Sequence, residues 1–353
     1  MISAIQEVTG RIAPPDEKAT LRAVLRLNSL TKPPGSLGRL EALAVRLAGI
    51  SKVEQPCYSK RTVVVMAADH GVCCEGVSAF PQEVTMQMAY NFLSGGAAVN
   101  VLARQGGAEV QFVDIGINGD IEHPQLINRK VRRGTDNMAA GPAMSREDAL
   151  RAILAGVHVA QEAVKNGTEI FITGEMGIGN TTASAAVLCA LEGIPAETAA
   201  GRGTGINDER LQHKISVIER ALQVNNPDPA DPVDVLAKVG GLEIAGLAGL
   251  ILGAAALRIP VILDGFISGA AALIARALAP ESTAYMIASH VSGEQGHKLM
   301  LDRLGLEALI DMGLRLGEGT GGALCLHFIE AVCRIMREMA TFESAGVSGS
   351  ESV

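Results

Sequence analysis

A chain of 353 residues with an apolar fraction of 48% has material for one large α/β domain or two ordinary ones. Its formal charge of -8 argues against a broad cationic face of the kind that nucleic acid or an anionic membrane requires, so an anionic substrate has to be met by a local pocket. The six cysteines form no CxxC pair and no Cys/His metal spacing, and the N-terminus is not signal-like, which predicts reduced thiols in a cytoplasmic protein.

In chain order, helical patterns come first, at about 17 to 29 and 38 to 50, separated by the Pro- and Gly-rich run Lys32 to Gly38. No strand pattern occurs in this part, and short helices need packing partners. A small helical domain is therefore expected over 1–58, completed by a C-terminal helix in 330–353, with a loose tail from Ser344.

Between them, over 59–329, short apolar runs alternate with Ala- and Leu-rich helical patterns. Strands are predicted at about 62 to 68, 109 to 116, 169 to 173, 260 to 264 and 284 to 288, and several of these runs are apolar throughout, as strands of a buried parallel sheet are. Helices are predicted at about 82 to 105, 145 to 166, 181 to 192, 208 to 224, 233 to 257, 266 to 278 and 321 to 341. The uncharged stretch Ile244 to Leu257 is too short for a membrane span, which takes about 20 residues, and reads as a buried helix. The fold class is thus α/β, a Rossmann-like parallel sheet with flanking helices plus the small helical domain. Ligands in such folds bind beyond the carboxyl ends of the strands, where Asp69-His70-Gly71, Gly174-Glu175-Met176-Gly177, Asp264-Gly265 and Ser289-His290 stand.

Three glycine-rich segments carry the chemistry. Gly174 to Thr182 lies between a strand and a helix, which makes either an anion cradle or a tight βα turn with Thr181 as N-cap. Gly201-Arg202-Gly203-Thr204-Gly205 precedes Lys214, a phosphate ligand or an ordinary solvated lysine. Arg315 to Leu324 sets Glu318 among glycines at the start of a helix, where it is either a catalytic base against a ligand or an acid favoured by the helix dipole. Gly317, Gly319 and Gly322 fit GxGxxG, but too little chain follows for a dinucleotide unit. His70 and His290 either touch a ligand or cap their loops, and residues such as Met86, Met88 and Phe92 are more often core than pocket, which helical spacing alone does not decide. No Walker A sequence and no run of adjacent acids calls for a nucleotide triphosphate, a metal or another cofactor.

Lys32 to Glu41, Asp69-His70-Gly71-Val72, Gly174 to Thr182, Leu263-Asp264-Gly265-Phe266 and Arg315 to Gly319 together resemble the nicotinate-nucleotide:dimethylbenzimidazole phosphoribosyltransferase (CobT) family, in the same order from about residue 15 to 340. The resemblance implies a pentosyltransferase that moves 5-phosphoribose from nicotinate mononucleotide to the lower-ligand base of a cobamide, inverting to the α-anomer. It also implies a dimer in which the neighbouring subunit completes each site. By the same likeness Glu318 is the base that takes the acceptor's proton and Glu175 a second active-site carboxylate. Gly177, Asn180, Gly203, Lys214, Ser292, Gly317 and Gly319 fall on the donor and phosphate side, and Phe80, Met88, Met176 and Leu316 around the acceptor.

Family members that use dimethylbenzimidazole have a serine, a glutamine and a leucine where this chain has Phe80, Met88 and Met176. Two of these changes remove hydrogen-bonding groups, and Phe80 can fill the space of a missing fused ring. The pattern resembles the phenol-activating, ArsA-type branch, which uses phenol or p-cresol and works as a pair of unequal paralogues. Phenol or p-cresol is the expected acceptor, with 5,6-dimethylbenzimidazole as the alternative. A non-catalytic nucleotide-binding partner subunit is the rival of a different class, and retention of Glu318 and Glu175 speaks against it. The partners expected are these small molecules and a second subunit, identical or paralogous, with neither nucleic acid nor membrane.

Overall fold

The computed structural model describes residues 1–348 and shows six strands in one parallel sheet: β1 (Arg61–Ala68), β2 (Ala108–Gly116), β3 (Ile127–Asn128), β4 (Ile170–Met176), β5 (Val261–Leu263) and β6 (Met286–Ala288). Their order is β3-β2-β1-β4-β5-β6, and every neighbouring pair is parallel. The chain winds outward to one side of β1 and then to the other. Succession therefore reverses between β1 and β4, and the carboxyl ends of those strands open the crevice in which such sheets bind ligands.

The alternation of side chains along β1 divides the core into two layers. Val64 and Met66 face helices Arg146–Lys165, Asn180–Glu192, Leu242–Ala256 and Phe266–Leu278. Val63, Val65 and Ala67 face helices Glu17–Ser29, Arg39–Ser51, Ala98–Gln105 and Thr320–Glu338. Helices Glu17–Ser29 and Thr320–Glu338 meet on this second layer, where Arg26 donates to the Met336 and Met339 carbonyls and Thr31 N–H to that of Ala340. The buried side chains of the layer, Leu27, Leu47, Ile329 and Met336 among them, are continuous with those of the sheet face. Helix Ile2–Thr9 joins the opposite layer through Ile5 and Val8.

The apolar stretch 244–257 lies in helix Leu242–Ala256, packed along Arg146–Lys165 with the two backbones in contact. A Cβ on Gly156 would overlap the Gly246 carbonyl, and one on Gly249 the Ile153 carbonyl. Among the described residues no helix is long and apolar enough to cross a membrane.

Several elements differ from the expectations. The predicted helix 82 to 105 is two, Val84–Leu93 and Ala98–Gln105, broken at Gly95, whose φ of +76° is left-handed. The predicted helix 233 to 257 is likewise Pro232–Val239 and Leu242–Ala256, parted at Gly240, where the backbone turns extended. The strand placed at 284 to 288 begins only at Met286, after a 3₁₀ turn over Pro280–Tyr285. The tail placed from Ser344 begins instead in a short helix, Phe342–Ala345, closed by the Ser344 N–H donating to Thr341 Oγ1 at 3.0 Å. The rest of that expectation, over 349–353, lies outside the described residues.

Candidate active site

A cavity of about 470 Å³ opens at the carboxyl ends of β1, β4 and β5. Six stretches of chain build it, within 77–88, 175–181, 203–204, 265–267, 292–294 and 315–318. One is the end of β4, Glu175 and Met176, with the loop Gly177-Ile178-Gly179 that leads into helix Asn180–Glu192. Gly177 is obligatory there, because a Cβ would overlap the Ala68 carbonyl and press on the His70 ring. The helix begins with Gly179 at φ +94° and without a side-chain cap. Thr181 therefore does not cap; its hydroxyl accepts from Lys214 at 2.9 Å.

Another is Arg315 to Glu318. Gly317, Glu318 and Gly319 have φ of +86°, +66° and +98°, three left-handed residues in succession, and Glu318 is the one that is not glycine. A β-carbon makes that region cost about 1 kcal/mol or more, so its occupation by glutamate marks a position held by its surroundings. The loop lies directly on β4, since a Cβ on Gly174 would overlap the Glu318 carbonyl. Glu318 itself is buried, and its Oε2 has no hydrogen-bond partner among the described residues. Burial raises its pKa above the ordinary carboxylate value, against a smaller opposing pull from the Val99 amide.

Glu318 does not serve the helix that follows it. Helix Thr320–Glu338 receives its negative charge from Asp264, at the end of β5. Asp264 Oδ1 accepts from the Gly321 and Gly322 amides at 2.8 and 3.2 Å, and Oδ2 accepts from Gly319 at 3.0 Å. Burial raises Asp264 to about 7 while those three amides pull it down. Gly319 thus spends its N–H on Asp264 and does not reach the cavity wall.

Glu175 is buried beside the Glu318 main chain. Its Oε2 accepts from the Asn180 amide and its Oε1 from the Glu318 N–H at 3.4 Å. Burial, with the nearby charges of Asp264 and Glu243, pushes it up to about 8. At neutral pH the cavity therefore holds a largely protonated carboxyl, Glu175, and, beside its contact with the loop, a carboxyl with an unengaged oxygen, Glu318.

The rest of the wall and its rim draw on the other stretches as well. Phe80 and Leu316 line the cavity yet are 52% and 58% exposed, whereas Met88 and Met176 are half-buried. Gly203 and Ser292 complete the wall, so that of the expected residues only Lys214 and Gly319 stand outside it. Lys214 is wholly buried one layer behind, with Nζ donating to Thr181 Oγ1 and, at 3.0 Å, to the Gly201 carbonyl. An ammonium has three donors, so one is left over. Burial depresses its pKa to about 8, partly offset by Glu294.

The strand-end histidines are both buried and line neither this cavity nor a second one nearby. His70 Nε2 is 2.8 Å from Glu243 Oε1, and His290 Nδ1 is 2.9 Å from Ser289 Oγ beneath Gly321. Sequence reasoning missed Glu294, which is buried in the wall between this cavity and a second of about 410 Å³, and gave no role to Arg315, which borders both. The Gly203 carbonyl, which accepts from Arg315 at 3.3 Å, ties two glycine loops that are far apart in the chain, a link that no local pattern signals.

Comparison with known proteins gives a consistent outcome. The model of a family described as Phosphoribosyltransferase matches residues 12–347. The chain is 57% identical over 349 residues to the nicotinate-nucleotide–dimethylbenzimidazole phosphoribosyltransferase of Desulforamulus reducens, covering 98% of this chain and 99% of that one. It is 56% identical to the protein of the same name from Halalkalibacterium halodurans, covering 98% and 97% of the two chains. A crystal structure of CobT from Thermus thermophilus superposes with a TM-score of 0.91 at 46% identity, covering 94% of this chain and all of that one.

Proposed function

The chain belongs to the nicotinate-nucleotide–dimethylbenzimidazole phosphoribosyltransferase family and is a pentosyltransferase of that type; from this premise we propose that its cavity binds nicotinate mononucleotide and a benzimidazole and moves the 5-phosphoribosyl group from the first to the second. The observation that carries the reading is Glu318, a buried carboxylate with a raised pKa and an unengaged oxygen in the wall of a cavity that also presents the glycine turn Gly177-Ile178-Gly179. In the reaction the bond from C1′ to the nicotinate nitrogen breaks and its electron pair returns to the ring, which leaves as neutral-ring nicotinate. The acceptor nitrogen attacks C1′ from the opposite face, giving the α-anomer, and Glu318 takes the proton the acceptor loses. A carboxylate of ordinary acidity is a weak base for that proton, and desolvation strengthens it.

Glu175 holds the Glu318 main chain and faces the acceptor as a hydrogen-bonding carboxyl. The first turn of helix Asn180–Glu192 and Gly203 receive the donor's phosphate, with Lys214 supplying positive charge from behind Thr181. The exposed apolar rim at Phe80 and Leu316 supports a dimer whose second subunit, identical or paralogous, covers the cavity mouth. Six free thiols suit a reducing compartment, the cytoplasm.

Purified protein incubated with nicotinate mononucleotide and 5,6-dimethylbenzimidazole should release nicotinate and form the α-ribosyl phosphate, with both separated by chromatography. No nicotinate release with any lower-ligand base would overturn the proposal. A second reading, in which phenol or p-cresol is the preferred acceptor, rests on Phe80 and Met88. Both line the cavity with apolar surface and offer no strong hydrogen-bonding group to a second ring nitrogen.

A further inference from the structure

Glu318 occupies a left-handed backbone conformation that a glutamate does not adopt unaided, so something in the fold has to hold it. Its own N–H is engaged by Glu175, within the cavity. The next N–H along, that of Gly319, is engaged by a residue that does not line the cavity, Asp264, immediately after β5. The other oxygen of Asp264 takes the Gly321 and Gly322 amides in the first turn of helix Thr320–Glu338.

Asp264 is in turn fixed in place. Its backbone N–H donates to Thr173 Oγ1 at 3.1 Å, and its carbonyl accepts from Ser289 Oγ at 3.2 Å, which anchors it to the strands on both sides. The carboxylate is 1% exposed, and three amides are a large share of what a buried carboxylate can accept.

We infer that Asp264 is a positioning residue for the transfer reaction: by clamping the amides on the C-terminal side of Glu318 to β5, it holds the Glu318 peptide left-handed and its carboxylate at the cavity. The inference rests on Glu318 acting as the base. Asp264 does not line the cavity, which places it to act through Glu318 rather than on the substrate itself. A carboxylate is required rather than merely a polar group of that size. An asparagine would turn its NH₂ either toward Gly319 or toward Gly321 and Gly322, setting donor against donor and freeing one end of the clamp.

The test is a double-mutant cycle on the full-length protein with Asp264→Asn, Glu318→Gln and both together. For each, turnover, affinity for nicotinate mononucleotide, circular dichroism and a thermal melt are measured. Asp264→Asn is expected to lower kcat about 10- to 100-fold, the cost of misplacing a reacting group by about an ångström, with donor affinity within about twofold of the parent. Added to Glu318→Gln it should cost little more, because the group it positions is already disabled. If Asp264 only caps the helix, the melting temperature falls while kcat well below the melt matches the parent, and that overturns the inference. A loss that multiplies in full with that of Glu318→Gln also overturns it. Near-normal turnover in Glu318→Gln alone instead removes the base assignment, and the positioning role with it. Should Asp264→Asn not fold, Asp264→Glu keeps the charge at the helix start while displacing the clamp by one methylene, and the same cycle with the same outcomes applies.

Discussion

The backbone N–H of Glu318 lies 3.4 Å from Oε1 of Glu175, so the two cavity carboxyls are joined through main chain rather than through facing side chains. The consequence is that the Glu318 carboxylate can be changed without removing the link. Glu318→Gln should keep the loop and the binding of nicotinate mononucleotide while slowing turnover by about 100-fold or more, the usual range for a lost general base. Single-turnover kinetics with saturating donor would measure it, and a rate near that of the parent would take Glu318 out of the mechanism.

Backbone strain at the same residue predicts a trade between stability and activity. Glu318→Ala keeps a β-carbon at φ +66°, whereas Glu318→Gly relieves it. Both should be nearly inactive, yet the glycine variant should be the more stable by about 1 kcal/mol, the scale of the left-handed penalty. Urea unfolding midpoints of the two would decide; equal midpoints would mean that the position is not strained.

Glu175 makes stability depend on pH in a stated direction. Its folded pKa of about 8 lies above the unfolded value of 4.5, so the folded state holds the proton longer and stability falls as pH rises through that interval. Asp264, at about 7, acts in the same direction. In Glu175→Gln the fall in melting temperature between about pH 5 and about pH 8 should be smaller than in the parent. An undiminished fall would assign the proton to another group.

Lys214 should place a break in donor affinity. With its pKa lowered to about 8 by burial, it loses charge as pH rises past that value, and with the charge its attraction for a phosphate. Titration calorimetry from about pH 7 to about pH 9.5 should show nicotinate mononucleotide binding weaken in the parent, and both weaker and flatter with pH in Lys214→Met. The same pH dependence in both proteins would show that Lys214 does not serve the phosphate.

The rim residues test acceptor preference. Phe80→Ser with Met88→Gln adds polar groups and opens room for a fused ring. One recovered hydrogen bond is worth about 0.5 to 1.5 kcal/mol, so the ratio of dimethylbenzimidazole to p-cresol used should rise by a few-fold to roughly tenfold. Both acceptors competing for limiting donor would give the ratio directly. A parent enzyme that already prefers dimethylbenzimidazole would rule out the phenolic reading and leave the transfer reaction standing.

The sheet was legible because Val63 to Met66 and Ile170 to Ile172 are apolar on both faces, a pattern few other structures impose. The breaks at Gly95 and Gly240 were missed because helical spacing of the apolar residues continues across them, and β3 because two residues carry no period. Glu318 and Glu175 stood out through their glycine neighbours. The use made of Asp264 did not, since it depends on amides 55 to 58 residues further along the chain. From sequence Lys214 is either a ligand or a solvated lysine, and no local pattern says that helix Asp208–Asn225 seals it behind Thr181.

The contact between helices Arg146–Lys165 and Leu242–Ala256 bears on how this protein can change over time. At Gly156 and Gly249 the facing carbonyls leave no room for a methyl group, so alanine, the smallest possible step, already forces the helices apart. Gly246 also abuts Met66 of β1, two residues before that strand ends beside the cavity. Substitution at these glycines is therefore costly, whereas Phe80 and Leu316, on the exposed rim, can be exchanged without moving the helices packed beneath the sheet.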